Sequence, residues 1–374
     1  MAQRLEIGII GGSIGGLFAA VLLTQAGHSV TVLERSRTGL GRRGAGLVAQ
    51  QELFDILDRT GLRAAASEGV VARERITLNR RGDVVFRDPT PQTQLSWDTL
   101  YEAFRSQIPG DRYLLDHAAL GVSATDADRA AVQLHTGRTL EFDVIIGADG
   151  LGSVTRSAVA PRQHSNTYVG YVTWRGLVPE KDLPPLAARV LLDRFAFFTA
   201  PHAHMLGYLV PGAGGEIERG LRRYNWVWYR SLTPDGLESI MTKARRPPGG
   251  VSLAPGDLPT AERADLVAAA EAELPPAFAE AVAAEPDPFL QAIFDYVPPR
   301  MVRGRVALLG DAAAVVRPHT AMGAAKAAGD AMTLADLLDA LPVDEALARY
   351  DQTRLPVARA IAAYGRQLGE SLPL

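Results

Sequence analysis

The chain has 374 residues, 47% of them hydrophobic and 22% charged, with a formal net charge of -3 and no Cys. That length holds about two ordinary domains, the composition excludes a disordered or fibrous chain, and the near-neutral balance, with no Lys/Arg stripe, argues against nucleic acid as a partner. Without Cys there are no disulfides, thiolate metal sites or Cys nucleophiles.

The N-terminus runs into a strand without the basic, apolar and small-residue order of a signal peptide. No apolar run approaches the roughly 20 residues that span a bilayer, so a cytoplasmic protein with no membrane span is expected. Residues 5–10 are apolar and rich in β-branched side chains, as a buried parallel strand requires. Ile14 to Gln25 reads as a helix with Gly27 just beyond its end, and Ser29 to Glu34 as a second strand, giving a βαβ unit. The turn between strand and helix is "GGSIGG". Gly11 makes the turn, Gly16 lets helix and strand approach, and the helix N-terminus offers free N–H groups to a pyrophosphate. Ser13 replaces the middle glycine of the usual fingerprint. Glu34, 23 positions after Gly11, stands where a carboxylate accepts from an adenosine ribose. Taken alone, the same residues also describe a tight strand–helix turn with an acid at a solvated strand end.

A further apolar strand at Phe142 to Ile146 ends in "GADGLGSVTR", with Asp149-Gly150 at the turn, then Ser153 and Arg156. Residues 168–176 and 221–230 carry aromatic and β-branched residues, including three of the four Trp, and predict a second, mostly antiparallel sheet. The segment 247–259, "PPGGVSLAPGDLP", is expected to hold no regular structure and to act as a loop or lid. Residues 260–285, 325–341 and 344–370 read as helical. Before the last two, Val306 to Leu309 forms a third apolar strand that ends in Gly310-Asp311, followed by Pro318 and Gly323.

Three strands ending in turns of one kind suggest one sheet assembled from distant segments. In this order the motifs resemble the FAD-dependent aromatic hydroxylases, single-component flavoprotein monooxygenases. Their marks are the N-terminal fingerprint, a D-G pair followed by Ser and Arg, and a G-D pair followed by Pro and a Gly-rich turn. The resemblance covers most of the chain. It implies an α/β fold: a Rossmann-like FAD-binding domain of parallel sheet and helices from 1–70, 98–163 and 291–374, and an antiparallel substrate domain from 71–97 and 164–290.

The resemblance also assigns sites. FAD is expected on Gly11, Ser13, Ile14, Gly15, Gly16 and Glu34, with Arg35, Arg42, Arg43 and Gly46 nearby, either arginine at 42 or 43 supplying charge to the pyrophosphate or forming a solvated loop. From the later motifs come Asp149, Arg156, Gly310, Asp311, Pro318, Gly323 and Ala324, Asp311 accepting from a ribityl hydroxyl and the helix N-terminus at Gly323 facing the pyrimidine end of the flavin. NADH or NADPH would bind transiently, since no second fingerprint exists, with Ser153 and Arg156 near its path. The reaction implied is hydroxylation of an electron-rich aromatic or N-heteroaromatic ring by O2 through a flavin C4a-hydroperoxide.

For the ring, Tyr171, Tyr224 and Trp226 are candidate clamps and Arg175 a candidate for holding a phenolate or carboxylate. His319 is the candidate proton relay; a loop histidine bonded to backbone is the alternative. No metal cluster or acyl-transfer constellation is present in the pattern. A small-molecule substrate, O2 and a possible homodimer complete the expected partners. Two other readings remain: a flavin-dependent tailoring oxidoreductase of a secondary-metabolite or polyketide pathway, and a non-catalytic FAD-binding protein. The chain departs from the family pattern at Ala314, where many members carry His, at Ala321-Met322-Gly323 in place of G-Q-G, and at Trp97, in place of an Arg ahead of Leu100.

Overall fold

A computed structural model describes residues 4–41, 46–48, 50–67, 69–123, 128–247 and 249–372. The βαβ unit forms from strand β1 (Glu6–Ile10), helix α1 (Ile14–Gln25) and strand β2 (Ser29–Leu33). Helix α1 buries residues all round its circumference, from Ile14 to Leu23, because helices cover it as well as the sheet. Its Phe18 meets Phe104 edge-on at 4.7 Å.

Strand β3 (Val144–Gly147) pairs in parallel with the other side of β1. The chain then leaves for a second sheet, whose long strands are β4 (Thr167–Pro179), β5 (Arg194–Ala200), β6 (Ala203–Val210), β7 (Arg223–Ser231) and β8 (Phe289–Asp295). It returns as β9 (Val306–Leu308), which pairs in parallel with β3, and closes with helices α2 (Gly323–Ala340) and α3 (Val343–Ser371). The register aligns Ile10 with Gly147 and Gly147 with Leu308. The three turns read from the sequence therefore emerge side by side at the carboxyl edge of one sheet, where open α/β folds bind ligands.

The second sheet has eight strands, in the order 252–253, β8, β4, β7, β6, β5, 74–78 and 84–88. It is antiparallel except where β5 meets Glu74–Leu78. Its two faces differ because side chains alternate. Val172, Trp174, Val178, Tyr224, Trp226 and Trp228 point into one hydrophobic core with the helices behind the sheet. Two glycines make that core possible. A Cβ at Gly176 would lie 2.5 Å from the Trp226 indole, and one at Gly207 would lie 2.2 Å from the Tyr224 hydroxyl. The opposite face carries Thr173, Arg175, Val227 and Tyr229 and looks toward the turns of the first sheet.

One local expectation is corrected. The segment 247–259 contributes a two-residue edge strand, Ser252–Leu253, paired with Gln291 and Leu290. A short edge needs few ladder bonds, and burying Leu253 supplies the driving force. Among the described residues, no helix is long and apolar enough to cross a membrane.

Candidate active site

The glycine turn is built without room for side chains. Gly11 has φ +104°, and a Cβ there would sit 2.3 Å from the Ala148 carbonyl oxygen; a Cβ at Gly16 would sit 2.0 Å from that of Gly11. Ser13 occupies the N-cap of α1 without a side-chain capping bond, and no acid lies in the first turn. The leading N–H groups of Ile14, Gly15 and Gly16 are thus left for an anion. Buried Glu34 accepts from the Gly12 N–H through Oε2 and the Ser36 N–H through Oε1, both at 2.8 Å. These bonds fix the carboxylate against the turn and leave lone pairs for further donors. Arg35 beside it is exposed, and Arg42 and Arg43 lie outside the described residues.

Where the family pattern has Arg, Trp97 stacks on Tyr101 at 5.0 Å with 7° between the rings. The Tyr101 hydroxyl contacts that of Tyr113 at 3.2 Å, and Tyr113 donates to the Gly12 carbonyl at 2.8 Å. An aromatic relay thus supports the turn from behind.

The second and third turns are tied to each other. Asp149 accepts from the Ser153 hydroxyl (2.6 Å), the Val154 and Thr155 N–H groups (2.9 and 3.1 Å) and the Thr155 hydroxyl (3.0 Å). Its carboxylate orders its own loop. Arg156, 1% exposed, donates to the carbonyls of Ala312 (2.7 Å), Leu151 (3.1 Å), Gly150 (3.4 Å) and Asp311 and to Asn166 Oδ1 (2.5 Å), beneath the Tyr296 ring. It acts as a strut between the Asp149-Gly150 and Gly310-Asp311 turns. That differs from the predicted direct cofactor contact, because every donor is spent inward.

Asp311 provides the clearest test for a flavin. No donor among the described residues bonds its carboxylate, which opens onto a cavity, and confinement by the surrounding protein raises its pKa while Lys326 and Arg156 pull it down. An acceptor without a protein partner at this turn suits a polyhydroxyl chain. At the same cavity edge, α2 starts at Gly323 and Ala324 with no side-chain cap and no acid in its first turn. Ala321 holds φ +56° there, a left-handed conformation that costs a non-glycine residue roughly 1–2 kcal/mol; its carbonyl is held by the Gln50 amide at 2.9 Å. Together with the uncapped α1 and Glu34, these donors and acceptors fit an FAD laid across the carboxyl edge.

The cavity, about 710 Å³, lies between these turns and the polar face of the second sheet. Gly46 and Pro318 also line it, and a Cβ on Gly46 would strike the Tyr208 ring at 2.3 Å. A belt of rings runs across the sheet: Tyr208 to Phe195 (4.7 Å), Phe195 to Phe197 (4.4 Å), Phe197 to His204 (6.3 Å), His204 to Tyr229 (5.6 Å) and Tyr229 to His319 (6.2 Å). Arg175 lines the same cavity; its Nε is buried, and it has no ion pair among the described residues. Burial pushes the Tyr208 and Tyr229 phenols up, and the Arg175 charge pulls each back.

Tyr224 and Trp226, predicted to clamp the ring, are corrected: both are fully buried on the core face, one residue out of phase with the cavity. Tyr171 is on the cavity side but covered, packed with Val227, Tyr229 and Ile293 under the Arg317 guanidinium. Sequence reading missed Phe195, Phe197, His204, Tyr208 and Tyr229. A usable signal existed in β7, whose Tyr224, Trp226 and Trp228 form an unbroken aromatic face, while Arg223, Asn225 and Tyr229 mark the polar one.

His319 lines the cavity and its Nε2 lies 2.8 Å from the Gly365 carbonyl. A carbonyl only accepts, so Nε2 carries the hydrogen and Nδ1 the lone pair. Burial lowers its pKa, with Arg317 adding to the effect and the Gly365 bond opposing it. His204, with Nδ1 2.9 Å from the Thr199 hydroxyl, is lowered by burial and by His319 to about 4. The unfolded chain then takes up a proton before the folded one as pH falls from 6.5 toward about 4, so stability is complete above this window and declines through it. Urea midpoints are expected to drop between pH 7 and pH 5, and to drop less in His204→Gln; an equal drop in both would assign the loss to other groups.

Comparison with known proteins agrees with this geometry. Residues 9–57 match the NAD(P)-binding Rossmann-like domain family, 168–295 an FAD binding domain-like family and 268–364 an FAD binding domain family. The chain is 33% identical over 341 residues to the 2,6-dihydroxypyridine 3-monooxygenase of Paenarthrobacter nicotinovorans, covering 89% of this chain and 82% of that protein. It is 30% identical over 392 residues to the 3-amino-4-hydroxybenzoate 2-monooxygenase of Streptomyces cremeus, covering 100% and 89%. The solved structure of 2,6-dihydroxypyridine-3-hydroxylase from Arthrobacter nicotinovorans superimposes with a TM-score of 0.92 at 29% identity, covering 100% and 94%.

Proposed function

The chain belongs to the FAD-dependent monooxygenase family of aromatic hydroxylases, and from that premise we propose that it hydroxylates a planar, hydroxylated N-heteroaromatic or aromatic ring carrying negative charge. The observation that carries this reading is the cavity: one wall is made by Asp311 and the start of α2 at Gly323 and Ala324, the other by an aromatic belt around a guanidinium with no ion pair among the described residues. Bound FAD would supply the redox chemistry, with two electrons from NADH or NADPH used to activate O2.

The chain's own residues do the rest. Glu34 receives the adenosine ribose, the α1 N-terminus the pyrophosphate, and Asp311 the ribityl chain. The α2 N-terminus, at Gly323 and Ala324, offers N–H groups and dipole charge to the pyrimidine edge of the ring system. Phe195, Phe197 and Tyr229 exclude water and present flat surfaces to the substrate. Arg175 holds the ring as a phenolate or carboxylate, because a half-buried cation with no anion beside it is stabilised when the substrate provides one. His319, with its tautomer set by Gly365, accepts the proton of a ring hydroxyl at Nδ1 and makes the ring more electron-rich.

The test uses the purified full chain with FAD and either nicotinamide. Hydroxypyridines, hydroxybenzoates and phenols are screened for stimulated nicotinamide oxidation and matching O2 uptake, with the product analysed for one oxygen from 18O2. Stimulation with label incorporation supports the hydroxylase. Product reduction without O2 uptake would favour the tailoring oxidoreductase, and a yellow protein inert to every ring would favour the non-catalytic reading.

A further inference from the structure

Behind Asp311 lies a charge cluster that takes no part in the chemistry above. Lys326, in the first turns of α2, has no exposed side-chain surface, and its ammonium donates to the Gly310 carbonyl at 2.8 Å and to Asp330 Oδ2 at 2.9 Å. Asp330, equally buried, accepts the Gly310 N–H at 3.1 Å through Oδ2 and Arg354 Nε at 2.7 Å through Oδ1. Gly310 itself has φ +60°. Both polar groups of this left-handed residue are therefore gripped by two side chains one helical turn apart, and the next residue is the one whose carboxylate opens onto the cavity.

A fully buried lysine is costly even when an acid pairs with it. If the site needed only to hold the left-handed turn, Asp330 and Arg354 would already satisfy one side of Gly310. Lys326 adds a side-chain donor to the Gly310 carbonyl, which also accepts from the Ala313 and Ala314 N–H groups, and brings a positive charge near the Asp311 carboxylate. We propose that Lys326 is a positioning residue for FAD: acting through Gly310, it fixes the direction in which Asp311 presents its carboxylate to the flavin half of the cofactor. The proposal rests on the reading that Asp311 meets the ribityl chain and Glu34 the adenosine half.

That division of labour supplies the test. Lys326→Met leaves Asp330 paired with Arg354 and with the Gly310 N–H, so no carboxylate is orphaned. Apoprotein of the full chain is titrated with FAD by flavin fluorescence and, separately, with ADP by calorimetry. Lys326→Met is expected to weaken FAD about tenfold and leave ADP unchanged. Asp311→Asn is expected to weaken FAD, and the double variant to bind FAD no worse than the weaker single one. Lys326→Arg, which keeps a cation beside Gly310, is expected to recover most of the affinity, and it carries the same test if Lys326→Met does not fold: FAD weakened at least as much as in Asp311→Asn would then count against the proposal. Equal loss of FAD and ADP, or losses that multiply in the double variant, would show a general packing role and overturn it. If the wild-type apoprotein binds neither ligand, the flavoprotein reading falls and takes this proposal with it; if it binds both and Lys326→Met binds FAD normally, only the proposal falls.

Discussion

Arg156→Met is expected to cost about 3–5 kcal/mol of folding stability, enough to remove much of the 5–15 kcal/mol available to an ordinary domain. The guanidinium bridges two turns that are more than 150 residues apart in the chain, through four backbone carbonyls and the Asn166 side chain. Methionine keeps most of the stem volume but donates to none of them. Each acceptor left buried without a donor costs roughly 1–3 kcal/mol, and water entering the gap recovers part of that. Arg156→Lys should fall between the two, since one ammonium with three donors cannot span five acceptors. Urea denaturation of the apoproteins measures the effect, and FAD retention should follow it, because both turns loosen together. A methionine variant within about 1 kcal/mol of wild type would mean that the turns hold their shape without the strut.

Arg156 also illustrates what could be read from the sequence. Its position in "GADGLGSVTR" marked it for the cofactor region, and the strands ahead of that motif, of the glycine turn and of Gly310-Asp311 do lie side by side. The parallel core was legible because strands buried on both faces are apolar without interruption and their turns need Gly and Asp at fixed offsets. The inward direction of the arginine was not legible, since its acceptors are mainly backbone carbonyls that any residue supplies. Lys326 and Asp330 were hidden for the same reason. Their i,i+4 spacing on a helix reads as an ordinary exposed pair, and only the return of β9 beside β3, with α2 packed against α1, buries them.

The aromatic cavity wall was legible in kind but not in phase. A one-residue shift along a strand exchanges its two faces. Choosing Tyr224 and Trp226 in β7 selected the core face, whereas Arg175 in β4 selected the cavity. The register Arg175↔Val227 and Thr173↔Tyr229 puts the second pair of the partner strand, not the first, beside the flavin turns. Phe195, Phe197 and His204 could not be tied to the site from the sequence, because β5 and β6 join β7 only through the sheet order.

His319→Ala is expected to lower kcat for hydroxylation by about 10² to 10⁴ while changing FAD affinity little. The Gly365 carbonyl holds hydrogen on Nε2 and leaves Nδ1 as a base. Nδ1 is buried without a partner among the described residues, so it pays for its burial only when a donor arrives, and a ring hydroxyl is such a donor. Burial, followed by the nearby Arg317 charge, lowers the pKa from 6.5; the Gly365 bond and Asp295 act in the opposite direction, and His204 and Tyr229 are the other titratable neighbours. The base form therefore predominates at neutral pH. Activity should hold from neutrality down to below pH 6.5 and fall on the acid side as Nδ1 takes a proton. In His319→Ala that acid limb should disappear along with most of the turnover, and nicotinamide oxidation should pass increasingly into H2O2 because the un-ionised ring is a poorer acceptor of oxygen. His319→Gln keeps a donor for Gly365 but supplies no base, so it should match the alanine variant in rate and exceed it in stability. A glutamine variant with near-wild-type turnover would assign His319 to holding α3 through Gly365, and the proton would have to leave the ring by His204 instead.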